Sequence, residues 1–173
     1  LCVGGSVLVA QYLGAKNESA IKEVIGTLLS TLTILSIIIM VIMSFAQVPL
    51  LHLMQTPESA FSEAQSYLFI TMLGVFFIFG YNALSAIMRG MGDSKTPLLF
   101  VSIACVINIV LDLILVGYFG MQAAGAAIAT VVSQATSMIL CVIYLIRNNF
   151  VFDFKIKSFM MKANRLVQIL RVG

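Results

Sequence analysis

The sequence predicts an all-α protein, a polytopic transmembrane helical bundle. Of 173 residues, 61% are hydrophobic and only 10% are charged, and the mean hydropathy is +1.08. Soluble domains usually carry about 25% charged residues. Several apolar stretches also reach the roughly 20 helical residues that a hydrocarbon core about 30 Å thick requires. Because membrane strands are shorter and alternate apolar with polar residues, the long apolar runs indicate helices.

Four complete spans are expected, preceded by a partial one. The complete spans are at about 24–48, 64–88, 97–119 and 123–146. Residues 1–13 are apolar but too few to cross a bilayer, and they lack the basic start of a signal peptide. We therefore expect the second half of a membrane helix there, within a longer protein. Residues 1–146 form a partial transmembrane bundle in this division, and 147–173 form a basic amphipathic connection.

The basic residues predict the orientation of the spans. With four alternating spans, all ten Lys and Arg fall on one side of the membrane: Lys16, Lys22, Arg89, Lys95, Arg147, Lys155, Lys157, Lys162, Arg165 and Arg171. Basic loops stay in the cytoplasm. Loops 14–23 and 89–96 and the tail 147–173 are thus expected to be cytoplasmic, in a multi-pass protein of the plasma (inner) membrane. The net charge of +3 is then explained by the basic residues that orient the protein in the membrane, and no nucleic-acid partner is expected.

Local sequence suggests how the helices begin and pack. Asn17 or Ser19 is expected to cap the first complete span, and Thr96 to cap the third with Pro97 in its first position. The "RGMGDSKTP" stretch lacks the Gly directly before Lys that a phosphate loop needs, so nucleotide binding is not expected. In the fourth span, small residues recur every four positions, a pattern typical of close helix packing in lipid: Gly125, Ala129, Ser133 and Ser137.

The cysteines and the histidine indicate no metal or redox chemistry. Cys2, Cys105 and Cys141 all fall within apolar spans, where a thiol is most often a small hydrophobic group. Neither a disulfide nor a metal cluster is expected. His52 lies near the end of a span, beside Pro49, and is interpreted as an interfacial loop residue rather than a proton relay.

Asp112 is the residue that composition does not explain. It lies about two-thirds of the way along the third complete span, where a carboxylate costs about 2.5–3.5 kcal/mol on insertion scales. Asn108 lies one turn earlier on the same face, and Thr130 lies at a comparable depth in the next helix. Their oxygens suit Na⁺, while burial of Asp112 favours the alternative that it binds a proton. A structural hydrogen bond from a protonated carboxyl is the simpler interpretation.

Other polar side chains within the spans suggest an enclosed cavity rather than a lipid-facing surface. Thr130 and Gln134 need hydrogen-bond partners at depth. Most Ser and Thr hydroxyls bond back to their own helix. The candidate cavity-lining residues are Gln134, Ser133, Asn82 and Ser85.

Four stretches make the sequence resemble the multidrug and toxic compound extrusion (MATE) family, within a superfamily that also holds flippases. They are "VLVAQYLGAKN" (7–17), "MRGMGDSKTPL" (88–98), "NIVLDLILV" (108–116) and "GMQAAGAAIATVVSQ" (120–134). The resemblance implies twelve helices in two six-helix lobes, of which this chain covers the end of the second to the sixth. It places the family's N-lobe cation site on Asn108, Asp112 and Thr130. An acidic residue of the first helix that completes the site in many members lies outside this chain.

The resemblance also implies a function. The full protein would be a secondary active transporter that exports organic cations in exchange for Na⁺ or H⁺, by alternating access, with no enzymatic activity and no cofactor besides the coupling ion. Its partners would be small organic cations, the lipid bilayer and the missing C-lobe. A flippase for lipid-linked oligosaccharides is an alternative, but its cavity would be rich in Arg and Lys, which these spans lack. A non-transporting membrane scaffold would leave Asp112 without a role.

Overall fold

The computed structural model describes residues 1–148 and 161–173, and these residues form a helical bundle. Within them lie α1 (Cys2–Gly14), α2 (Glu18–Leu53), α3 (Glu58–Gly90), α4 (Lys95–Asp112), α5 (Gln122–Arg147) and α6 (Ala163–Val172). A π-helical segment, Leu113–Tyr118, continues α4. The prediction of an all-α membrane bundle is confirmed.

Four helices are long and apolar enough to cross a membrane, as predicted. They are Glu18–Leu53, Glu58–Gly90, Lys95–Tyr118 and Gln122–Arg147. The first two extend well past the expected spans 24–48 and 64–88, because the sequence pattern located only their most apolar parts. At 1.5 Å per residue the 36 residues of α2 reach about 54 Å, so its ends project beyond a hydrocarbon core about 30 Å thick.

The core lies where α1, α2, α3 and α5 meet. Ile25, Leu28, Ile87 and Cys141 are completely buried there. Apolar side chains farther along α2 are exposed, among them Ile42 at 58% and Phe45 at 81%. An exposed apolar face on a long apolar helix is suited to contact with lipid acyl chains.

The small residues of α5 lie at helix contacts, which confirms their predicted role in packing. Gly125, Ala129, Ser133 and Ser137 are all buried. A methyl group on Gly125 would come within 3.2 Å of the Leu115 backbone. The close approach of α5 to the preceding segment therefore depends on a residue without a side chain.

The predicted cap of α2 is confirmed, and that of α4 is wrong. Asn17 accepts a hydrogen bond from the N–H of Ala20 at 3.1 Å. For α4, the side chain of Asp93 accepts from the N–H of Thr96 at 3.0 Å, and the helix already begins at Lys95. A carboxylate is favoured over a hydroxyl at the positive end of a helix. Asp93 also accepts from the Tyr144 hydroxyl at 3.2 Å, which ties this loop to α5.

Replacing Asp93 by alanine should destabilise the α3–α4 loop by about 1 kcal/mol, because the cap of α4 and the contact with Tyr144 are lost together. Burial alone would raise the pKa of Asp93, but hydrogen bonds from Thr96 and Tyr144 outweigh it and lower that pKa. Its stabilising effect should thus be present at neutral pH and disappear as the pH falls through the lowered pKa. Thermal unfolding of wild type and Asp93→Ala across pH measures this.

The matched control for Asp93→Ala is Ser94→Ala. Ser94 is the exposed residue directly before α4, and its side chain makes no capping hydrogen bond. Its substitution should leave the unfolding temperature nearly unchanged at every pH. Equal losses in the two variants would contradict the role of Asp93.

Helix α6 packs against α1 and the first turns of α2 through a charged cluster and one apolar side chain. Glu23 accepts hydrogen bonds from Lys162 at 2.5 Å and from Arg165 at 2.9 Å. Arg165 also donates to the Tyr12 hydroxyl at 2.7 Å and lies 5.1 Å above that ring. Ile169 is completely buried. The described part of the basic connection is therefore attached to the bundle.

The apolar residues of this amphipathic connection are expected to lie along the membrane surface, and this stays a prediction; they are Phe159, Met160, Ala163, Leu166, Val167 and Leu170. Val167 and Leu170 are exposed at 62% and 59%, and Ala163 is also exposed, whereas Leu166 is half-buried. Phe159 and Met160 lie outside the described residues. The face that contacts α1 and α2 is centred on Ile169, because the ion pairs of Lys162 and Arg165 orient that side of α6 toward Glu23.

Replacing Glu23 by glutamine should loosen α6 without releasing it, because Ile169 stays buried. Partly exposed ion pairs contribute up to about 1 kcal/mol, so amide exchange over residues 163–172 should rise about two- to fivefold. Hydrogen exchange followed by mass spectrometry measures the change. Glu18→Gln, at an exposed acid of the same helix, should leave the exchange of α6 as it is in the wild type; an equal rise would show that net charge alone is responsible.

Candidate cation-binding site

Asp112 is the last α-helical residue of α4, at the point where the helix widens into the π-helical segment. Its side chain is half-buried, and its Oδ1 atom is fully shielded with no hydrogen-bond partner among the described residues. A shielded carboxylate oxygen without a partner is expensive unless something else compensates it. π-helical turns are often found at functional sites.

Asn108 has the same character one turn earlier. It is half-buried, and its Nδ2 atom is shielded without a partner among the residues described. On the other side of α4, Ile109, Val110 and Leu113 are exposed at 54%, 47% and 69%. The most exposed surface of the helix thus lies away from the two half-buried polar residues.

The predicted depth of Thr130 agrees with the register of α4 and α5. Leu115 lies opposite Gly125, and the rings of Phe100 and Tyr144 lie 5.8 Å apart. Because α4 and α5 are antiparallel, the contact between Leu115 and Gly125 places Asp112 at the level of residue 128 of α5. The contact between Phe100 and Tyr144 places it at the level of residue 132. Thr130 lies between these levels. Its hydroxyl donates to the Ala126 carbonyl at 2.9 Å, so only its lone pairs are available to a cation or proton.

The four candidate cavity residues are placed differently from one another. Ser133 is buried and donates to the Thr130 carbonyl at 2.9 Å, and Ser85 is buried and accepts from Arg89 at 2.6 Å. Asn82 is exposed and donates to the Ile78 carbonyl at 2.8 Å. Gln134 is half-buried. Their role in a transport cavity stays a prediction.

An apolar cavity of about 270 Å³ lies between α2, α3 and α5. Its lining includes Phe76, Phe79, Leu84 and Met138, and none of the four candidate cavity residues belongs to it. The sequence feature that comes nearest to indicating this cavity is the pair of glycines in the second complete span, Gly74 and Gly80. Gly80 contributes to this lining, and Gly74 instead lies against Val131 of α5.

The histidine and the cysteines lie away from the candidate site. His52 is exposed in the last turn of α2, rather than in the loop, and its ring lies 5.0 Å from that of Phe61. Cys2, Cys105 and Cys141 are free thiols. Within residues 1–148 and 161–173, no three His, Cys, Asp or Glu side chains come together as a metal site. Among the described residues, a cation at Asp112 would therefore find one carboxylate together with amide and hydroxyl oxygens.

Comparison with known proteins identifies the family. The MatE family model matches residues 1–114, about two-thirds of the chain, including Asn108 and Asp112. The chain belongs to the MatE family. Thr130 lies beyond the matched residues, so its assignment depends on the register of α4 and α5.

Two curated MatE relatives come from Bacillus subtilis strain 168. The probable multidrug resistance protein YoeA is 35% identical over 177 residues, which cover 98% of this chain and 38% of YoeA. The probable multidrug resistance protein YpnP is 36% identical over 166 residues, which cover 96% of this chain and 37% of YpnP. This MatE chain thus spans a little over a third of the length of these relatives.

Solved structures agree with the MatE assignment. The inward-facing conformation of a multidrug resistance MATE family transporter of the MOP superfamily matches with a TM-score of 0.92 and 29% identity. The match covers 99% of this chain and 39% of that one. Together with its four apolar helices, this establishes the MatE chain as part of a multi-pass membrane protein.

Proposed function

We propose that the full-length transporter carrying this sequence exports small organic cations in exchange for Na⁺ or H⁺, with Asp112 as the coupling residue. The observation that supports this most is the shielded, unpartnered Oδ1 of Asp112 beside the shielded amide of Asn108. Membership of the MatE family and similarity to two probable multidrug resistance proteins support drug export. Asp112, Asn108 and Thr130 would hold the cation.

Coupling would follow from the cost of an uncompensated carboxylate in the membrane. A bound Na⁺ or proton neutralises Asp112, and its release leaves a charge that the surrounding helices must accommodate. The two states of Asp112 then favour different packings of this half of the protein, and the difference biases alternating access. Oxygen ligands from Asn108 and Thr130 would suit Na⁺, whereas a proton needs only a hydrogen-bond acceptor beside the carboxyl.

The buried polar side chains favour an exporter of organic cations over a flippase for anionic lipid-linked sugars. Among the described residues they are all hydroxyl-bearing: Thr27, Ser30, Ser36, Ser85, Ser133 and Ser137. Neither Lys nor Arg occurs in that group, so the described interior offers little attraction to phosphate. The protein would lie in the plasma (inner) membrane, with residues 14–23, 89–96 and 147–173 in the cytoplasm and a second lobe forming the other wall of the cavity.

Reconstitution of the full-length transporter in liposomes tests the proposal. A fluorescent cationic dye is loaded, and a gradient of Na⁺ or of H⁺ is imposed separately with the membrane potential clamped. We expect dye efflux that one of the gradients accelerates and that its collapse stops. Efflux independent of both gradients would overturn cation coupling, and the absence of dye movement under either gradient would overturn the exporter assignment.

A further inference from the structure

The hydroxyl of Thr71 in α3 is buried without a hydrogen-bond partner among the residues described. Helical threonines normally donate to a carbonyl one turn back, as Thr27 does to Glu23 and Thr136 does to Val132. Thr71 does not do this. A shielded hydroxyl that forgoes the local bond has a desolvation cost, which a ligand or another polar side chain would offset.

The register of α3 and α5 places Thr71 at the level of Asp112. Gly74 lies against Val131, which puts Thr71 opposite residue 128. The Gln122 amide, oriented to donate, contacts the Glu63 carboxylate, which puts Thr71 opposite residue 130. The contacts of Leu115 with Gly125 and of Phe100 with Tyr144 place Asp112 opposite residues 128–132. Three helices thus bring Thr71, Asp112 and Thr130 to one depth.

Thr71 also lies on the side of α3 that faces α5. It precedes Gly74 by three residues, so the two occupy one face of the helix, and that face packs on α5. Helix α4 packs on α5 as well. Two other buried polar atoms without partners among the described residues, on Thr31 and Gln47, lie at other depths. Thr31 is next to Leu32, which lines the same cavity as Gly80. Gln47 is one helical turn from Leu51, which lines a cleft with Glu63.

We propose that the Thr71 hydroxyl oxygen is a further ligand of the cation bound by Asp112, contributed by α3. This inference rests on the proposed cation coupling. Na⁺ prefers oxygen ligands, and a hydroxyl oxygen from a third helix would add to the carboxylate, the amide and the Thr130 hydroxyl. A proton on Asp112 would instead be donated in a hydrogen bond to the same Thr71 oxygen. In both cases cation binding links α3 to the α4–α5 hairpin.

The test uses Thr71→Val in the full-length transporter, which keeps the shape of the side chain and removes its oxygen. Gradient-driven dye efflux is titrated with NaCl at fixed pH and with pH in the absence of Na⁺. For whichever cation drives efflux, the half-saturating concentration of that cation should rise about tenfold. If the cation is a proton, the pH of half-maximal efflux should fall by about one pH unit. Thr71→Ser should restore the wild-type midpoint, because it returns the oxygen.

Matched variants separate the possible outcomes. Thr136→Val removes a hydroxyl that is bonded within α5, at an exposed position, and should leave the midpoint unchanged. Thr71→Ala replaces Thr71→Val if the latter fails to reach the membrane. If a folded Thr71→Val or Thr71→Ala variant keeps the wild-type half-saturating concentration while Asp112→Asn abolishes coupling, the role of Thr71 is overturned and the proposed function is not. If Asp112→Asn is also unaffected, the proposed function itself is overturned.

Discussion

Replacing Asp112 by asparagine in the full-length protein is expected to abolish the proposed cation-coupled efflux while the protein still folds and inserts. Asparagine keeps the shape and the polarity of the side chain but cannot bind a proton and carries no charge for Na⁺. The substitution also removes from the membrane interior a carboxylate whose Oδ1 atom has no hydrogen-bond partner among the described residues. We expect gradient-driven dye efflux to fall to the level of dye-loaded liposomes that contain no protein. The unfolding temperature of the variant should equal or exceed that of the wild type, because a costly carboxylate is removed.

Glu58→Gln is the matched control for Asp112→Asn. Glu58 is an exposed acid in the first turn of α3, so its substitution removes the same charge at a position outside the candidate site. It should retain gradient-driven efflux. If Asp112→Asn retained it as well, Asp112 would have no coupling role.

Replacing Gly90 by valine is expected to have the largest effect on stability. Gly90 is the last residue of α3, and a methyl group there would come within 2.5 Å of the Ser6 carbonyl oxygen and 3.0 Å of the Val9 side chain, both in α1. The nearest of these atoms is backbone, so it cannot move aside as a flexible side chain would. Overpacking of this kind costs about 1–3 kcal/mol, and we expect the upper end of that range.

The effect of Gly90→Val is measured as the decrease in unfolding temperature of the purified full-length protein in detergent. Gly14→Ala is its control, because a methyl group on Gly14, the last residue of α1, meets no atom within 4 Å among the described residues. It should change stability by less than about 0.5 kcal/mol. Equal behaviour of the two variants would mean that α1 and α3 do not pack through Gly90.

Much of the fold follows from the sequence because the bilayer imposes simple rules. Length and apolar composition located four spans, and the cap at Asn17 follows from a local side chain. The details that sequence did not predict depend on contacts between distant residues. Asp93 caps α4 while accepting from Tyr144, and Ile169 is buried because Lys162 and Arg165 pair with Glu23.

The candidate site was predictable only in part. The cost of a carboxylate in an apolar helix points to Asp112, and helical spacing adds Asn108. The short hairpin gives the depth of Thr130. Thr71 could not be found in this way, because its role depends on the register between α3 and α5 and on a hydroxyl that forgoes its local bond. The widening of α4 into a π-helical segment after Asp112 likewise has no signal in the apolar sequence "LILVGY".

Equilibrium binding of the proposed coupling cation to the purified full-length protein, in the absence of drug, tests the central claim most directly. Titration calorimetry with NaCl at fixed pH, and proton uptake measured without Na⁺, would be compared for the wild type and Asp112→Asn. We expect saturable binding of one of the two cations to the wild type and its loss in the variant. Superimposable binding curves for the two proteins would contradict the assignment of Asp112 as the cation-binding group.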